Sequence, residues 1–365
     1  MEYALYPKLT SSTRRPSGEE PSRYMRSVVP EIKIHTRMRM SFHEFRMIYS
    51  IPEWYNTRMI SHVIVVLLNF HQDDLTKTCL QTLAQASKLH QDSINIHTVL
   101  VQVEGDSEKK NDWTAKFSDV TVLSRKNLGF SGGNNEAIRY IQKNLSYDFV
   151  LLMNNDTRID PECVFELVSF AQKQNTLGLY SPKIYFERNA EFHEGYTEQE
   201  KGHVIWYAGG VVDKKTMLAW HRGVDEVDHG NAQVPQKTDF CTGCCMLIPK
   251  VVIDRVGLLN QAYFLYLEDL EYCFRVQKVG GTCWYVPSAK MWHLNAGSTT
   301  GSGSELHQYY QTRNRVWFGL RFGSLRVKLA MIKEMIRLVR FGTTVQKEAV
   351  RDAVILRGGM WKGSK

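Results

Sequence analysis

The chain has 365 residues, of which 43% are hydrophobic, so it can bury one large core or two moderate ones. This size excludes a small module held together by disulfides and fits a catalytic domain with extensions. The formal net charge of +8 suits an anionic partner such as a nucleotide, a nucleic acid or an acidic membrane face, and charge alone does not choose among them.

The two ends of the chain differ in character from its middle. Residues 1–58 are basic, are interrupted by five prolines and show no clear period, which predicts a partly disordered or draped extension. Seven scattered cysteines, an odd number, argue against a complete disulfide framework and favour a reducing cytosol. The first residues lack the apolar core of a signal peptide, and the longest apolar run, Val63 to Leu68, is too short to span a bilayer. We therefore expect a cytoplasmic protein.

Strands and helices alternate after residue 58. The predicted strands are His62–Asn69, Asn95–Val103, Val120–Leu123 and Phe149–Met153, and the predicted helices between them are Asp74–Leu89 and Asn134–Lys143. Such alternation predicts an α/β fold with a mostly parallel sheet, whose ligands bind at the carboxyl ends of the strands. We assign residues 59–320 to this domain.

A glycine-bearing segment, Asn127 to Asn135, leads into the second of these helices. A turn of this kind can present backbone N–H groups and the helix dipole to an anion. Its glycines do not follow the Gly-x-Gly-x-x-Gly dinucleotide pattern, which disfavours a nicotinamide or flavin enzyme. The alternative is an ordinary strand-to-helix turn.

Asp156 ends the apolar strand Phe149–Met153 after two asparagines. A carboxylate at such a strand end can hold a hard divalent cation against a diphosphate. Asp156 could instead cap a helix ahead of Asp160-Pro161. Together with the glycine-bearing segment, it indicates a site for a metal-bound nucleoside diphosphate.

The chain resembles glycosyltransferase family 2 and its GT-A fold, particularly the rhamnosyltransferase-like branch. The resemblance covers roughly residues 61–318 in several ordered motifs. These are Leu68-Asn69-Phe70, Asn127 to Asn135, Asn154-Asn155-Asp156, Trp206-Tyr-Ala-Gly-Gly210, Asp239 to Ile248, Phe264 to Arg275, Trp292-His293 and Tyr309-Tyr-Gln-Thr-Arg-Asn314. It implies an inverting transfer from a nucleoside-diphosphate sugar, with Mg²⁺ or Mn²⁺, in the synthesis of a surface polysaccharide or related glycan, and rhamnose is one candidate sugar.

The resemblance also implies roles for individual residues. Asp269 is the implied general base that takes the proton from the acceptor hydroxyl, and Glu268 is a supporting or acceptor-binding group. Without that resemblance, both acids could be a solvated first turn of a helix. Thr242 and Gly243 would line the acceptor side. The implied donor-binding residues are Asn69, Glu104, Asn127, Gly129, Gly132, Gly133, Asn135, Asn155 and Arg313.

His293 would complete a metal site with Asp156, although a lone histidine is often an ordinary core or surface group. The family often has two aspartates where this chain has Asn154-Asn155-Asp156, and fewer carboxylates imply weaker metal binding. Arg313 is a candidate diphosphate clamp or an ordinary surface arginine.

The C-terminal region, residues 321–365, is basic and amphipathic. Between Leu325 and Val339, aliphatic residues alternate with Arg326, Lys328, Lys333 and Arg337, which is typical of a helix lying on anionic lipid. The alternative is a helix packed on the domain with its charged face in water. Lipid-linked acceptors, which many members of the family use, favour a peripheral position at the cytoplasmic membrane face.

The predicted protein is therefore a glycosyltransferase that acts on a glycan or lipid-linked acceptor. The alternative is a non-catalytic nucleotide- or glycan-binding protein on the same fold. Nucleic acid is not an expected partner, because the basic residues lie mainly in the two end regions and no nucleic-acid module is recognised. A nucleotidyltransferase would leave Glu268 and Asp269 without an evident role. No pattern in the sequence specifies an oligomeric state.

Overall fold

A computed structural model describes residues 60–103, 112–230, 233–294 and 303–363. The predicted extension 1–58 and Glu104 lie outside these residues. The strands are β1 (Ser61–Asn69), β2 (Ile94–Val103), β3 (Val120–Arg125), β4 (Phe149–Asn154), β5 (Thr157–Ile159), β6 (Gly178–Phe186), β7 (Ile205–Tyr207), β8 (Gly210–Asp213), β9 (Leu218–His221), β10 (Gln236–Thr238), β11 (Cys245–Pro249) and β12 (Thr282–His293). The helices are α1 (Asp73–Leu89), α2 (Gly129–Asn144), α3 (Cys163–Gln172), α4 (Lys250–Val256), α5 (Glu268–Lys278), α6 (Glu305–Phe322), α7 (Leu325–Phe341) and α8 (Thr344–Val354), with short 3₁₀ turns at Asp112–Lys116 and Gln261–Tyr263.

One sheet dominates the fold, with strand order β10-β12-β6-β11-β4-β1-β2-β3. The half built from β4, β1, β2 and β3 is parallel throughout. Its strands are continuous Val, Ile and Leu runs because a parallel sheet is covered on both faces. Strand β11 is antiparallel to both of its neighbours, β4 and β6, whereas β6 and β12 run parallel. The predicted α/β class with a mixed central sheet is confirmed.

The short strand β5 brings the end of β4 close to the end of β12. It pairs antiparallel with the end of β12, and this register places Thr157 opposite His293. As a result, the carboxyl end of β4 and the last residue of β12 meet at one place in the sheet.

Helix α2 begins earlier than the sequence predicted. The prediction placed its start at Asn134, but Gly129 is already its first residue. The glycines are therefore part of the helix rather than an open turn before it. Close packing explains them: a Cβ on Gly129 would lie 2.4 Å from the Phe264 carbonyl oxygen, and one on Gly133 would lie 3.0 Å from Leu68.

The C-terminal helices pack on α6. The Tyr309 hydroxyl donates to Asp352 at 2.8 Å, and the Trp317 indole donates to the Ala353 carbonyl at 2.9 Å. Trp361 stacks on Tyr309 with ring centroids 4.8 Å apart. No helix among the described residues is both long enough and apolar enough to cross a membrane.

Candidate active site

The predicted base, Asp269, lies at the start of α5 and is fully buried. Its carboxylate accepts hydrogen bonds from the backbone N–H of Gly243 and of Leu270, both at 2.8 Å. A Cβ on Gly243 would lie 3.4 Å from the Asp269 Cβ and 3.1 Å from the Phe130 ring, so a glycine permits this close approach. The structure thus brings together a predicted catalytic residue and a predicted acceptor-side residue. Thr242, also buried, accepts a hydrogen bond from the Cys244 N–H at 3.3 Å.

Glu268, next to the base, has a different environment. It is fully buried, and neither of its carboxyl oxygens has a hydrogen-bond partner among the described residues. Burial, reinforced by the nearby charge of Asp269, raises the pKa of Glu268 well above its usual value. The environment of Glu268 therefore favours its neutral form more than water does.

Asp156 and His293 form the second acidic part of the site. The Asp156 Oδ1 lies 3.2 Å from the His293 Nε2, and both side chains are almost completely buried. Burial alone would raise the pKa of Asp156, but the adjacent His293 outweighs it and lowers the pKa to about 2. Asp156 is thus ionised across the physiological range.

These two residues fit a divalent cation. Both ring nitrogens of the buried His293 lack a well-aligned hydrogen bond within the described part of the chain, which leaves them available as ligands. No group of three or more His, Cys, Asp or Glu side chains that could hold a metal occurs among those residues. A cation here would complete its coordination with water and phosphate oxygens, as Mg²⁺ commonly does.

Asp156 and Asp269 both lie next to the turn that precedes β11. The Asn154 N–H, two residues before Asp156, donates to the Cys244 carbonyl at 2.9 Å, and the Gly243 N–H donates to Asp269 at 2.8 Å. Burial raises the pKa of the Cys244 thiol well above its usual value, and the charges of both Asp156 and Asp269 add to the effect. The carboxylates therefore lie near the same thiol, where β4 meets β11.

The Trp206 ring contacts both His293 and a second buried histidine, His221. The Trp206 ring lies 4.7 Å from His293 and 4.4 Å from His221. Burial is the main cause that lowers the pKa of His221 to about 3, so this imidazole is neutral. Sequence reasoning missed His221, because only the pairing of β8 with β9 brings it beside Trp206.

The predicted donor-binding asparagines on the sheet hold the strand ends in place. The Asn69 side-chain amide donates to Asp73 at 2.7 Å and to Gln102 at 2.8 Å, and its oxygen accepts from the Gln72 N–H. The Asn155 amide donates to Thr76 at 2.9 Å. Both side chains are buried at the site, and their amide donors are used within the protein.

Five other predicted donor-binding residues belong to α2 and its start, and the packing of Gly129 and Gly133 is described above. Asn127 accepts a hydrogen bond from the Gly129 N–H at 3.0 Å, and the Ser131 N–H donates to the Phe264 carbonyl at 3.3 Å. Asn135 makes two hydrogen bonds with the Leu259 backbone, at 2.8 and 3.0 Å. Gly132 packs against Leu128 in the same turn. The segment contacts the loop that precedes Glu268 and Asp269.

Arg313 is a buried positioning residue in this structure and not a surface clamp. Its guanidinium donates to the carbonyls of Ala262, Tyr263 and Gly359 at 2.8–3.0 Å and to the Asn314 side chain at 2.9 Å. The predicted clamp role is inconsistent with this geometry, because four of its five N–H donors are used internally.

The loop held by Arg313 has unusual backbone geometry. Phe264, Tyr266 and Leu267 all have positive φ, between 61° and 68°. Each such residue costs about 1–3 kcal/mol and persists only where its surroundings hold it, as they do at many functional sites. Asn314 supplies this support by donating to the carbonyls of Tyr263, Leu265 and Tyr266 at 2.8–3.0 Å.

Open α/β sheets bind their ligands at the carboxyl ends of the strands, which is where Asp156 lies. A family model described as glycosyltransferase like family 2 matches residues 61–319, so the chain belongs to glycosyltransferase family 2. It is a glycosyltransferase of glycan biosynthesis, as the sequence predicted.

Individual relatives agree with this assignment. The chain is 24% identical over 260 residues to the low-salt glycan biosynthesis hexosyltransferase Agl10 of Haloferax volcanii, covering 70% of this chain and 75% of that protein. It is 38% identical over 60 residues to an N-acetylglucosaminyl-diphospho-decaprenol L-rhamnosyltransferase of Mycobacterium tuberculosis, covering 16% and 20%. A crystal structure of GalNAc-T7 with UDP, GalNAc and Mn²⁺ aligns with a TM-score of 0.49 at 14% identity, over 75% of this chain and 55% of that one.

Proposed function

We propose that the protein transfers a sugar from a nucleoside-diphosphate sugar to a hydroxyl group of a glycan or lipid-linked acceptor, with inversion at the anomeric carbon. The observation that carries the proposal is the buried Asp269 carboxylate, oriented by the Gly243 N–H at 2.8 Å, one residue from Cys244, whose carbonyl accepts from the Asn154 N–H at the strand end that leads to Asp156. A base fixed in this way can act on only one position of a bound acceptor.

The transfer is a single displacement. Asp269 takes the proton of the acceptor hydroxyl as its oxygen attacks the anomeric carbon, and the bond from that carbon to the diphosphate breaks. The diphosphate leaves with the bonding electrons. Asp156 and His293 would hold a Mg²⁺ or Mn²⁺ ion, which stabilises the negative charge of the leaving group.

The sugar and the acceptor are narrower parts of the proposal. The diphospho-decaprenol rhamnosyltransferase named among the relatives supports rhamnose as the first sugar to test and a lipid-linked acceptor as the first acceptor class. A lipid-linked acceptor places the enzyme at a membrane surface.

The test is a screen for hydrolysis and transfer over a panel of nucleotide sugars that includes thymidine-diphosphate rhamnose. The wild type should turn over one donor, and Asp269→Asn should lose at least about 1,000-fold in transfer while its donor affinity stays within a few-fold. Donor binding without turnover in the wild type, for every donor and acceptor tried, would instead support a non-catalytic binding protein.

A further inference from the structure

Exposed apolar side chains concentrate near the C-terminal end of the chain. Ten of the eighteen exposed large hydrophobic residues in the described part fall between Leu325 and Met360. Six of them lie on α7, and the sixth, Phe341, is its last residue. The other five share one face, and we call this set the apolar stripe: Leu325, Leu329, Ile332, Ile336 and Val339. They are 45–75% exposed. Contiguous exposure of this kind marks an interaction surface.

Helix α7 has two separate apolar faces. At about 100° per residue, the apolar stripe occupies a narrow arc, and the buried residues Val327, Met331 and Leu338 lie on the opposite side. Met331 packs so closely on α6 that a Cβ on Gly319 would lie 2.8 Å from its Cγ. Packing on the domain is therefore complete without the apolar stripe.

Basic residues border the apolar stripe. Arg326, Lys333 and Arg340 are exposed and each directly follows a residue of the stripe, while Lys328 lies on its other edge. The one acidic residue of α7, Glu334, faces away from the stripe and pairs with Arg315 at 3.5 Å and Arg337 at 3.3 Å. The border of the stripe is thus uniformly positive.

We infer that the apolar stripe docks on an anionic lipid surface. Its aliphatic side chains would enter the boundary between headgroups and acyl chains, and the bordering Lys and Arg side chains would reach lipid phosphates. A second copy of the chain fits less well. The 4-3-4-3 spacing of the stripe could form a helix pair, but the flanking positions that carry opposite charges in such pairs are basic here and would repel. The inference stands independently of the donor and acceptor proposed for the active site.

The test is co-sedimentation of the full chain at physiological salt with vesicles of phosphatidylcholine, with and without phosphatidylglycerol. The wild type should bind only the anionic vesicles. Changing Arg326, Lys333 and Arg340 together to Gln should weaken this partition by roughly 10- to 100-fold. A matched control removes the same charge from exposed Lys173, Lys214 and Lys215 and should leave partition within about twofold of the wild type.

A second pair of substitutions tests the apolar contribution. The double substitution Leu329→Gln with Ile336→Gln should also release the protein from anionic vesicles. Binding of a nucleoside diphosphate should remain unchanged, because both residues are exposed on α7 and neither is a predicted site residue. Equal partition of the wild type and both stripe variants would overturn the inference. The inference would also be overturned if light scattering showed that the wild type is a dimer and the double variant a monomer. The partner of the apolar stripe would then be a second copy of the chain. A wild type that binds anionic vesicles but transfers no sugar would count against the proposed function and not against this inference.

Discussion

At the scale of single residues, two adjacent buried acids have different hydrogen bonding. The Asp269 carboxylate accepts from two backbone N–H groups, whereas the Glu268 carboxyl group has no hydrogen-bond partner among the described residues. Burial raises the pKa of Glu268 well above its usual value, and the charge on Asp269 reinforces this effect. Neighbouring acids in different environments can take different roles, and here the hydrogen-bonded one is suited to remove a proton.

Glu268→Gln should stabilise the protein at neutral pH. A folded-state pKa that is raised means that the folded protein binds more protons than the unfolded chain between the two pKa values, so the free energy of unfolding falls as pH rises through that window. Because Gln does not ionise, the variant should not lose this part of the free energy of unfolding as pH rises. Thermal unfolding should show a small difference from the wild type near pH 4 and a gain of several degrees near pH 7, at about 2–4 °C per kcal/mol. An equal shift at both pH values would mean that Glu268 is ionised in the folded protein.

Asp156→Ala and His293→Ala should each weaken cation-dependent binding of a nucleoside diphosphate. The two side chains are 3.2 Å apart and both are proposed to hold one ion. We expect a loss of about 10- to 100-fold in affinity with Mn²⁺ present and little change without it. Calorimetric titration with and without Mn²⁺ measures the difference. Equal affinities for the wild type and both variants under both conditions would remove the metal from the proposal.

The sequence located these acids at a strand end and at the first turn of a helix, but it did not predict the contacts of Arg313 and Asn135. An acid at a strand end or at the first turn of a helix can be located from local pattern. The hydrogen-bond partners of a buried amide or guanidinium group depend on which carbonyl groups the fold places next to it. Asn135 bonds to Leu259, and Arg313 bonds to Ala262, Tyr263 and Gly359, contacts that no local pattern contains.

At the scale of elements, the start of α5 is held by two other helices. The first turn of α2 meets Phe264 through the Ser131 N–H, and α6 contributes Asn314 to three carbonyls of the same loop. The glycine-bearing segment and the Arg313-Asn314 pair both support the loop before Asp269. The sequence pattern of each motif indicates that its segment is constrained, but it does not identify the neighbouring residues that the segment contacts.

Asn314→Ala should lower both stability and turnover. It removes the side-chain hydrogen bonds to three carbonyls and the acceptor of the Arg313 Nε–H, and it leaves buried polar groups unpaired beside residues with positive φ, at a cost of about 2–4 kcal/mol. Because the loop orients Asp269, kcat should fall more than donor affinity does. Denaturant unfolding and steady-state kinetics measure the two effects. The control, Asn144→Ala, removes an exposed hydrogen bond to Tyr140 and should change neither by much. Asn314→Ala with wild-type kcat would separate the loop from catalysis.

At the scale of the whole molecule, the sequence predicted the sheet better than the C-terminal region. A continuous apolar run such as Val63 to Leu68, within strand Ser61–Asn69, is typical of a strand in a sheet that is covered on both faces, so this strand could be predicted from the pattern. Helix α7 carries two apolar faces, and its sequence does not say which one packs on the domain. The structure buries Val327, Met331 and Leu338 and exposes the apolar stripe. Packing on the domain and an exposed amphipathic surface, which the sequence presented as alternatives, both occur in this helix.

Trp361→Ala should destabilise the catalytic domain although Trp361 lies near the end of the chain. Trp361 is 6% exposed, stacks on Tyr309 and donates its backbone N–H to the Tyr310 hydroxyl at 2.8 Å. Its neighbour Gly359 accepts from Arg313, so the change also loosens the residue that holds the loop before α5. We expect a loss of about 3–5 kcal/mol from the cavity, seen as a lower midpoint in urea. Leu356→Gln, at a residue that is 78% exposed, is the control and should leave the midpoint unchanged. If both variants unfold like the wild type, the C-terminal region does not stabilise the domain, and its contribution would be limited to the surface it presents.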